Sequence, residues 1–261
     1  MSKKVLIVND LHVGDKIGLL PPEVYVDSHD RARSIHQKAN EAQIWMYQKW
    51  EQMIADVGPV YAVIACGDLC EGVQPKSKGM GLWTPDQDIQ SEVAASLLEM
   101  IKAEKYFIAQ GTPFHTGENI SSDLLVAKKI GAVYGDELSI KVDNVRIHAS
   151  HKIGVSGANT AARVSAIAKE IMHATINAAQ YGKYDIIVRG HAHYAVAVKF
   201  SNTWGIVNPG WKGRDSFAAR SSLVWNPDLG YTILEIDGDL VQWNTVIHKF
   251  EKDHLMQEYV I

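Results

Sequence analysis

Eleven histidines in 261 residues, and four places where an apolar run closes on a polar cluster carrying Asp or His, are where this sequence could do chemistry. The four are Asp10-Leu11-His12, Gly67-Asp68, Gly111-Thr112 with His115 three residues on, and Gly190-His191-Ala192-His193. Carboxylates and imidazoles are hard-to-borderline donors, suited to Mn, Fe, Zn and similar ions. In Asp10-x-His12 and His191-x-His193 the side chains sit two apart. On extended backbone such residues share a face, so each pair can address one centre. The glycines fit places where the chain turns sharply beside that centre. Any one of these motifs is commonplace; the ordered set is informative because each member closes a separate strand.

Those strands are legible. Val5–Val8 is a β-branched run stopping at Asn9-Asp10, and Val60–Cys66 runs into Gly67-Asp68. Tyr106–Ala109 precedes the Gln110–Asn119 loop, and Asp185–Val188 leads into Gly190-His191. Between them, apolar spacings of three and four predict a helix over about Asp30–Ala55, with Trp45, Met46, Trp50 and Met53 as its core stripe. A second helix is expected from a Thr84 cap to about Glu104, and a third near Asp123–Ile130. A fourth is expected from Asn159 or Thr160 to about Ala179. Gly14–Ser28, with Pro21-Pro22, reads as irregular. Leu138–Val142 and Val145–Ala149 form a hairpin about Asp143-Asn144, and the chain is β-rich from about residue 195. Early βαβ units require parallel pairing and the later hairpins antiparallel pairing. The expected fold is therefore α/β, two packed mixed β-sheets flanked by helices, in a single domain over residues 1–261.

At this point the chain resembles the calcineurin-like metallophosphoesterase superfamily, from Asp10 to the Asn208-Pro209-Gly210 turn that follows the last histidine motif. The resemblance implies an α/β/β/α sandwich and two divalent metal ions, Mn foremost, with Fe, Zn or Ni as alternatives. It implies that Asp10, His12 and His193 bind the first ion, that Asp68 bridges both, and that His191 binds the second. A middle histidine is also implied. His151 is preferred to His148, because it ends its strand and His148 falls on the opposite face by alternation. The third motif departs from the family's Gly-Asn-His-acid: Thr112 stands at the Asn position and His115 lies further on. His115 is then expected as general acid or as the replacement ligand, with Thr112 and His148 as alternates.

The implied reaction is hydrolysis of a phosphoester by a hydroxide bridging two ions. Phosphodiester or nucleic-acid cleavage is preferred, because Lys212 and Arg214, close to Trp211 and Phe217, mix cations with aromatics as a substrate contact would. The alternatives are a phosphomonoesterase, or a non-catalytic binding protein using the same edge as a partner surface. The remaining histidines, Glu71 and Asp86 are expected to be solvated, and Cys66 to be strand core.

Composition narrows the classes further. Hydrophobic residues make up 46% and charged residues 21%, which is globular composition. Two cysteines exclude a disulfide-rich scaffold. No run reaches the length of a membrane span and no leader is visible, so the expectation is a cytoplasmic protein without membrane contact. The formal charge of −4 does not exclude a polyanionic substrate, since two divalent ions would offset it where they sit.

Overall fold

The computed structural model describes residues 2–26, 35–74, 78–113, 121–154, 160–214 and 226–250. Its main body is two β-sheets face to face, with helices on both outer faces.

The first sheet has six strands in the order β13-β12-β1-β4-β5-β6. Here β1 is Lys3–Val8, β4 Val60–Ala65, β5 Ala103–Ala109, β6 Val133–Gly135, β12 Leu229–Asp237 and β13 Leu240–His248. The four strands β1, β4, β5 and β6 run parallel, and β12 and β13 close one edge antiparallel. The second sheet has the order β10-β11-β9-β8-β7, from β7 Glu137–Val142, β8 Val145–Ser150, β9 Ile186–Arg189, β10 Val196–Phe200 and β11 Thr203–Val207. Its inner strands β8, β9 and β11 are parallel, and its hairpin partners are antiparallel. The mixed pairing expected from βαβ units followed by hairpins is what the chain adopts.

Strand alternation builds the core. Val5 and Ile7 of β1 point between the sheets, against Ile64, Ile147, Val188 and Ile206. Leu6 and Val8 point the other way, into the layer formed by α1 (Glu41–Val57), α2 (Gln87–Glu99) and α3 (Ser122–Ile130). Both faces of β1 are therefore buried, which is why it reads as an unbroken apolar run. On the far side, Ile167 and Ile171 of α4 (Thr160–Ile176) cover Ile187 and Val207 of the second sheet. The short helix α5, Ala178–Tyr181, follows.

Three of the four residues assigned to the first helix's stripe are core: Met46, Trp50 and Met53 are buried, and Trp50 Nε1 donates to the Leu97 carbonyl at 3.3 Å, while Trp45 is half-buried. The helix start expected at Asp30 is wrong. Ile35–Lys38 forms β3, paired with β2 (Glu23–Val26) inside the stretch expected to be irregular. The helix begins after Asn40, whose side chain accepts from Gln43 N while Gln43 Oε1 accepts from Asn40 N, a complete capping box. The second helix is capped by Asp86, not Thr84, and ends at Glu99 because Ala103 already belongs to β5. No helix among the described residues is long and apolar enough to cross a membrane.

Candidate metal centre

Parallel pairing in register brings the carboxyl ends of the inner strands together. Val8 pairs with Ala65 and Ala65 with Ile108 in one sheet, and Ser150 with Arg189 in the other. The next residues of each strand form a single edge, as ligand-gathering loops do in α/β sheets. Two groups of donors stand there, each with ligand atoms within 4.8 Å of one another: Asp10, His12 and His193, and Asp68, His151 and His191.

The backbone reaches this arrangement differently from the extended spacing expected. Asp10 (φ 54°), His12 (47°), Asp68 (51°), His191 (68°) and His193 (50°) all adopt left-handed conformations. Each costs a non-glycine residue of order 1–3 kcal/mol. Asp10 and His12 converge because both turn left-handed around the buried Leu11. Main-chain hydrogen bonds hold the strained loops together: Asp10 N to Gly67 O and His12 N to Asp68 O, both 3.0 Å. His191 N also donates to Asp10 Oδ2 at 3.0 Å, tying one group to the other. Glycine is required at 111, where a Cβ would lie 2.2 Å from Asp68 Oδ1 and 2.3 Å from Asp68 N.

In the first group Asp10 is fully buried, and its Oδ1 receives no hydrogen bond. Facing that oxygen are His193 Nε2 at 3.3 Å and His12 Nε2 at 3.6 Å, which lie 3.2 Å from each other. His12 Nδ1 meets Glu71 Oε2 at 2.6 Å, so in the neutral ring the proton sits on Nδ1 and the Nε2 lone pair turns inward. An orphaned carboxylate oxygen between two inward imidazole nitrogens fits a cation.

The second group is built alike. His151 Nδ1 lies 2.5 Å from the Cys66 carbonyl, leaving Nε2 2.9 Å from Asp68 Oδ2 and 3.1 Å from His191 Nδ1. Thr112 joins it: its amide donates to Asp68 Oδ1 at 2.6 Å, and its hydroxyl donates to Asp68 Oδ2 at 3.1 Å.

The electrostatics point the same way. Burial alone would push the Asp10 carboxyl up, but the charge of His193 and the close approach of the His12 and His193 rings hold it well below the usual carboxylate range. Burial and the Lys212 ammonium disfavour a charged His12, yet Glu71 and Asp10 raise it to about 9. Burial likewise opposes a charged His151, and Asp68 raises it to about 10. Buried carboxylates thus draw protons onto the imidazoles where cations would otherwise supply the positive charge.

The expected donors Asp10, His12, Asp68, His151, His191 and His193 all meet at this edge, with Thr112 beside the second group. His148 does not. It faces α4, 3.0 Å from the Arg189 guanidinium, because alternation in β8 points it away. Lys212 is corrected as well: instead of facing a substrate it is buried, 3.0 Å from Glu71 and 3.1 Å from Asp15. Arg214 lines a groove of about 360 Å³ with Trp45, His248 and Phe250. His115 and Phe217 lie outside the described residues. Cys66 is buried strand-end core, its thiol pushed up to about 12 by burial.

Three supporting residues carry no sequence signal of their role. Glu71, expected in solvent, is only 4% exposed and backs His12. Asp123 accepts from Leu69 N at 3.0 Å and Gly111 N at 2.7 Å, bracing both loops around Asp68. Burial and the Asp68 charge raise its carboxyl to about 6. Asp228 accepts from Ala195 N at 2.8 Å, and its own amide donates to His193 O, fixing the last histidine loop. The Ser-Ser-Asp at the start of α3 announces a helix cap, not a brace, and nothing around Glu71 or Asp228 distinguishes them.

No protein-family model and no curated protein matches the chain. Among solved structures it is similar to wild-type Vps29 from Entamoeba histolytica complexed with Zn²⁺, at 17% identity and a TM-score of 0.47, covering 94% of this chain and 98% of that one. It is also similar to an archaeal phosphodiesterase, at 14% identity and 0.44, covering 93% and 99%. A predicted phosphoesterase from Streptococcus pneumoniae TIGR4 matches at 12% identity and 0.41, covering 94% and 99%.

Proposed function

We propose that the protein is a dinuclear metal-dependent phosphoesterase of the calcineurin-like kind, acting on phosphodiesters and with nucleic acid as the candidate substrate. The observation that carries this is the pair of three-donor groups on one strand-end edge, with Asp10 Oδ1 buried and orphaned between two imidazole nitrogens.

Asp10, His12 and His193 would hold one ion, and Asp68, His151 and His191 the other, with Mn²⁺ the first choice. Cations bound there supply a lowered pKa for coordinated water and neutralise phosphoryl charge. The rest is the work of the chain. Glu71 fixes the His12 tautomer, the His191 amide fixes the Asp10 carboxylate, and Asp123 and Gly111 hold the Asp68 loop against the site. Left-handed backbone at five of the six donors keeps them converged before any ligand arrives. His115 is assigned the proton for the leaving oxygen, since imidazole titrates near neutral pH.

The test is turnover of a chromogenic phosphodiester and a phosphomonoester with Mn²⁺, with a chelator and Asp10→Asn as controls. Diester hydrolysis that both controls abolish is the expected result. Preference for the monoester would make the protein a phosphomonoesterase. Tight metal binding without turnover of either ester would make the edge a partner-binding surface and overturn the enzymatic reading.

A further inference from the structure

We propose that the two donor groups hold their cations unequally, and that the Thr112 hydroxyl is the fourth donor of the weaker group. The second ion then exchanges at concentrations that leave the first bound, and occupancy of the pair follows free metal. This rests on the dinuclear reading above.

The position of Thr112 is the first argument. Its Oγ1 lies 3.1 Å from Asp68 Oδ2, 3.1 Å from His151 Nε2 and 3.2 Å from His191 Nδ1. One oxygen is thus nearly equidistant from one atom of every member of the group. The residue is pinned there by its amide bond to Asp68 Oδ1, and Gly111 lets the two loops approach this closely. The hydroxyl keeps its proton, donated to Asp68 Oδ2, and turns its lone pairs towards the imidazoles. It offers an oxygen donor and adds no charge.

The second argument is the difference in what stands behind each group. Behind His12 is a carboxylate, Glu71, which makes the imidazole a stronger donor. Behind His151 is a neutral carbonyl, that of Cys66. Asp10 and His12 are both buried, whereas His191 is exposed, so water competes for the second group. Asp123 lies close to Asp68, but both its oxygens are engaged by backbone amides. A group with one carboxylate, a neutral support, an exposed imidazole and an alcohol should bind a divalent ion more weakly than its neighbour.

The experiment is titration of the chelator-stripped full-length protein with Mn²⁺, following free ion by electron paramagnetic resonance and heat by calorimetry. Two single-site classes are expected, separated by about tenfold or more in Kd. Thr112→Val, which removes the hydroxyl at constant shape, should abolish the weaker class and leave the tighter one unchanged. Thr112→Ser should retain both, which controls for folding. Thr112→Asn, supplying an amide oxygen, should narrow the gap. Two ions of equal affinity, or a Thr112→Val isotherm like that of the wild type, would overturn the proposal. Saturation at one ion would overturn it too, while leaving a mononuclear site. Absence of any bound Mn²⁺ would instead bring down the metal-centre reading on which it rests.

Discussion

His12 Nδ1 and Glu71 Oε2 lie 2.6 Å apart in the interior, and the same carboxylate oxygen is 3.0 Å from Lys212 Nζ. The loop after β1, the loop after β4 and the loop after β11 are thereby joined behind one candidate ligand. A carboxylate in that position orients the ring and makes its other nitrogen a better donor. Glu71→Gln keeps the shape and removes the charge. It should weaken the tighter Mn²⁺ class by about 10- to 100-fold, read by calorimetry. An isotherm indistinguishable from the wild type would show that Glu71 is only packing.

Lys212 separates Glu71 from Asp15, both within 3.1 Å of its ammonium. With the cation removed, the buried Glu71 carboxylate faces that of the partly buried Asp15 with nothing between them. Lys212→Met should therefore lower folding stability by about 3–5 kcal/mol, measured by urea denaturation. If stability is unchanged and KM alone rises, the ammonium acts on substrate and its buried pairing is incidental.

Asp123 takes two buried backbone amides, Leu69 N and Gly111 N, which lose their acceptor when the carboxylate is removed. Asp123→Ala should cost about 1–3 kcal/mol for each orphaned amide. Asp123→Asn keeps one oxygen acceptor and should cost less. The same change frees the loops on either side of Asp68, so the weaker metal class should be lost in Asp123→Ala before the tighter one. Equal weakening of both classes would argue that the brace is global, not local to Asp68.

Gly111→Ala tests the same junction sterically. Its Cβ would collide with the Asp68 side chain and amide, both backed by the neighbouring loop. Overpacking of this kind costs about 1–3 kcal/mol. Here it should also displace Asp68, so the melting temperature and the weaker metal class should fall together. A stable variant with both metal classes intact would mean that the loops part more easily than their spacing suggests.

The ligand positions were legible because each is a polar residue closing an apolar run, and parallel sheets bring such ends together whatever lies between. The left-handed backbone at Asp10 or His193 was not legible. Nothing in Asp-Leu-His distinguishes a strained turn from extended chain, and tertiary hydrogen bonds such as His12 N to Asp68 O decide it. Glu71, Asp123 and Asp228 were missed for a related reason. Each acts on a residue dozens of positions away, and local spacing carries no trace of that. The start of α1 is a different failure. Asn40 and Gln43 stand at capping-box spacing, and a rule based on apolar periodicity passed over them.

His148 supplies the pH dependence. It is packed beneath α4, with Arg189 Nη1 at 3.0 Å from its Nδ1 and Glu137 Oε2 at 3.4 Å from its Nε2. Tyr184 lies edge-on against the ring, Glu170 pairs with the same arginine, and His173 lines the adjoining cavity. Burial and then the Arg189 charge lower its pKa below the ordinary 6.5, with Glu137 and Glu170 opposing them incompletely. Above pH 6.5 the ring is neutral in both folded and unfolded chains, and its contribution is fully present. As pH falls below 6.5 the unfolded chain takes the proton first, so stability is lost until pH passes the lower folded value. His148→Gln keeps an acceptor for Arg189 and cannot titrate. Urea midpoints between pH 5 and 7 should therefore fall less steeply with acid in the variant than in the wild type, both measured with chelator present. Parallel slopes would show that the acid sensitivity of this fold arises elsewhere and that the Arg189–His148 contact is indifferent to protonation.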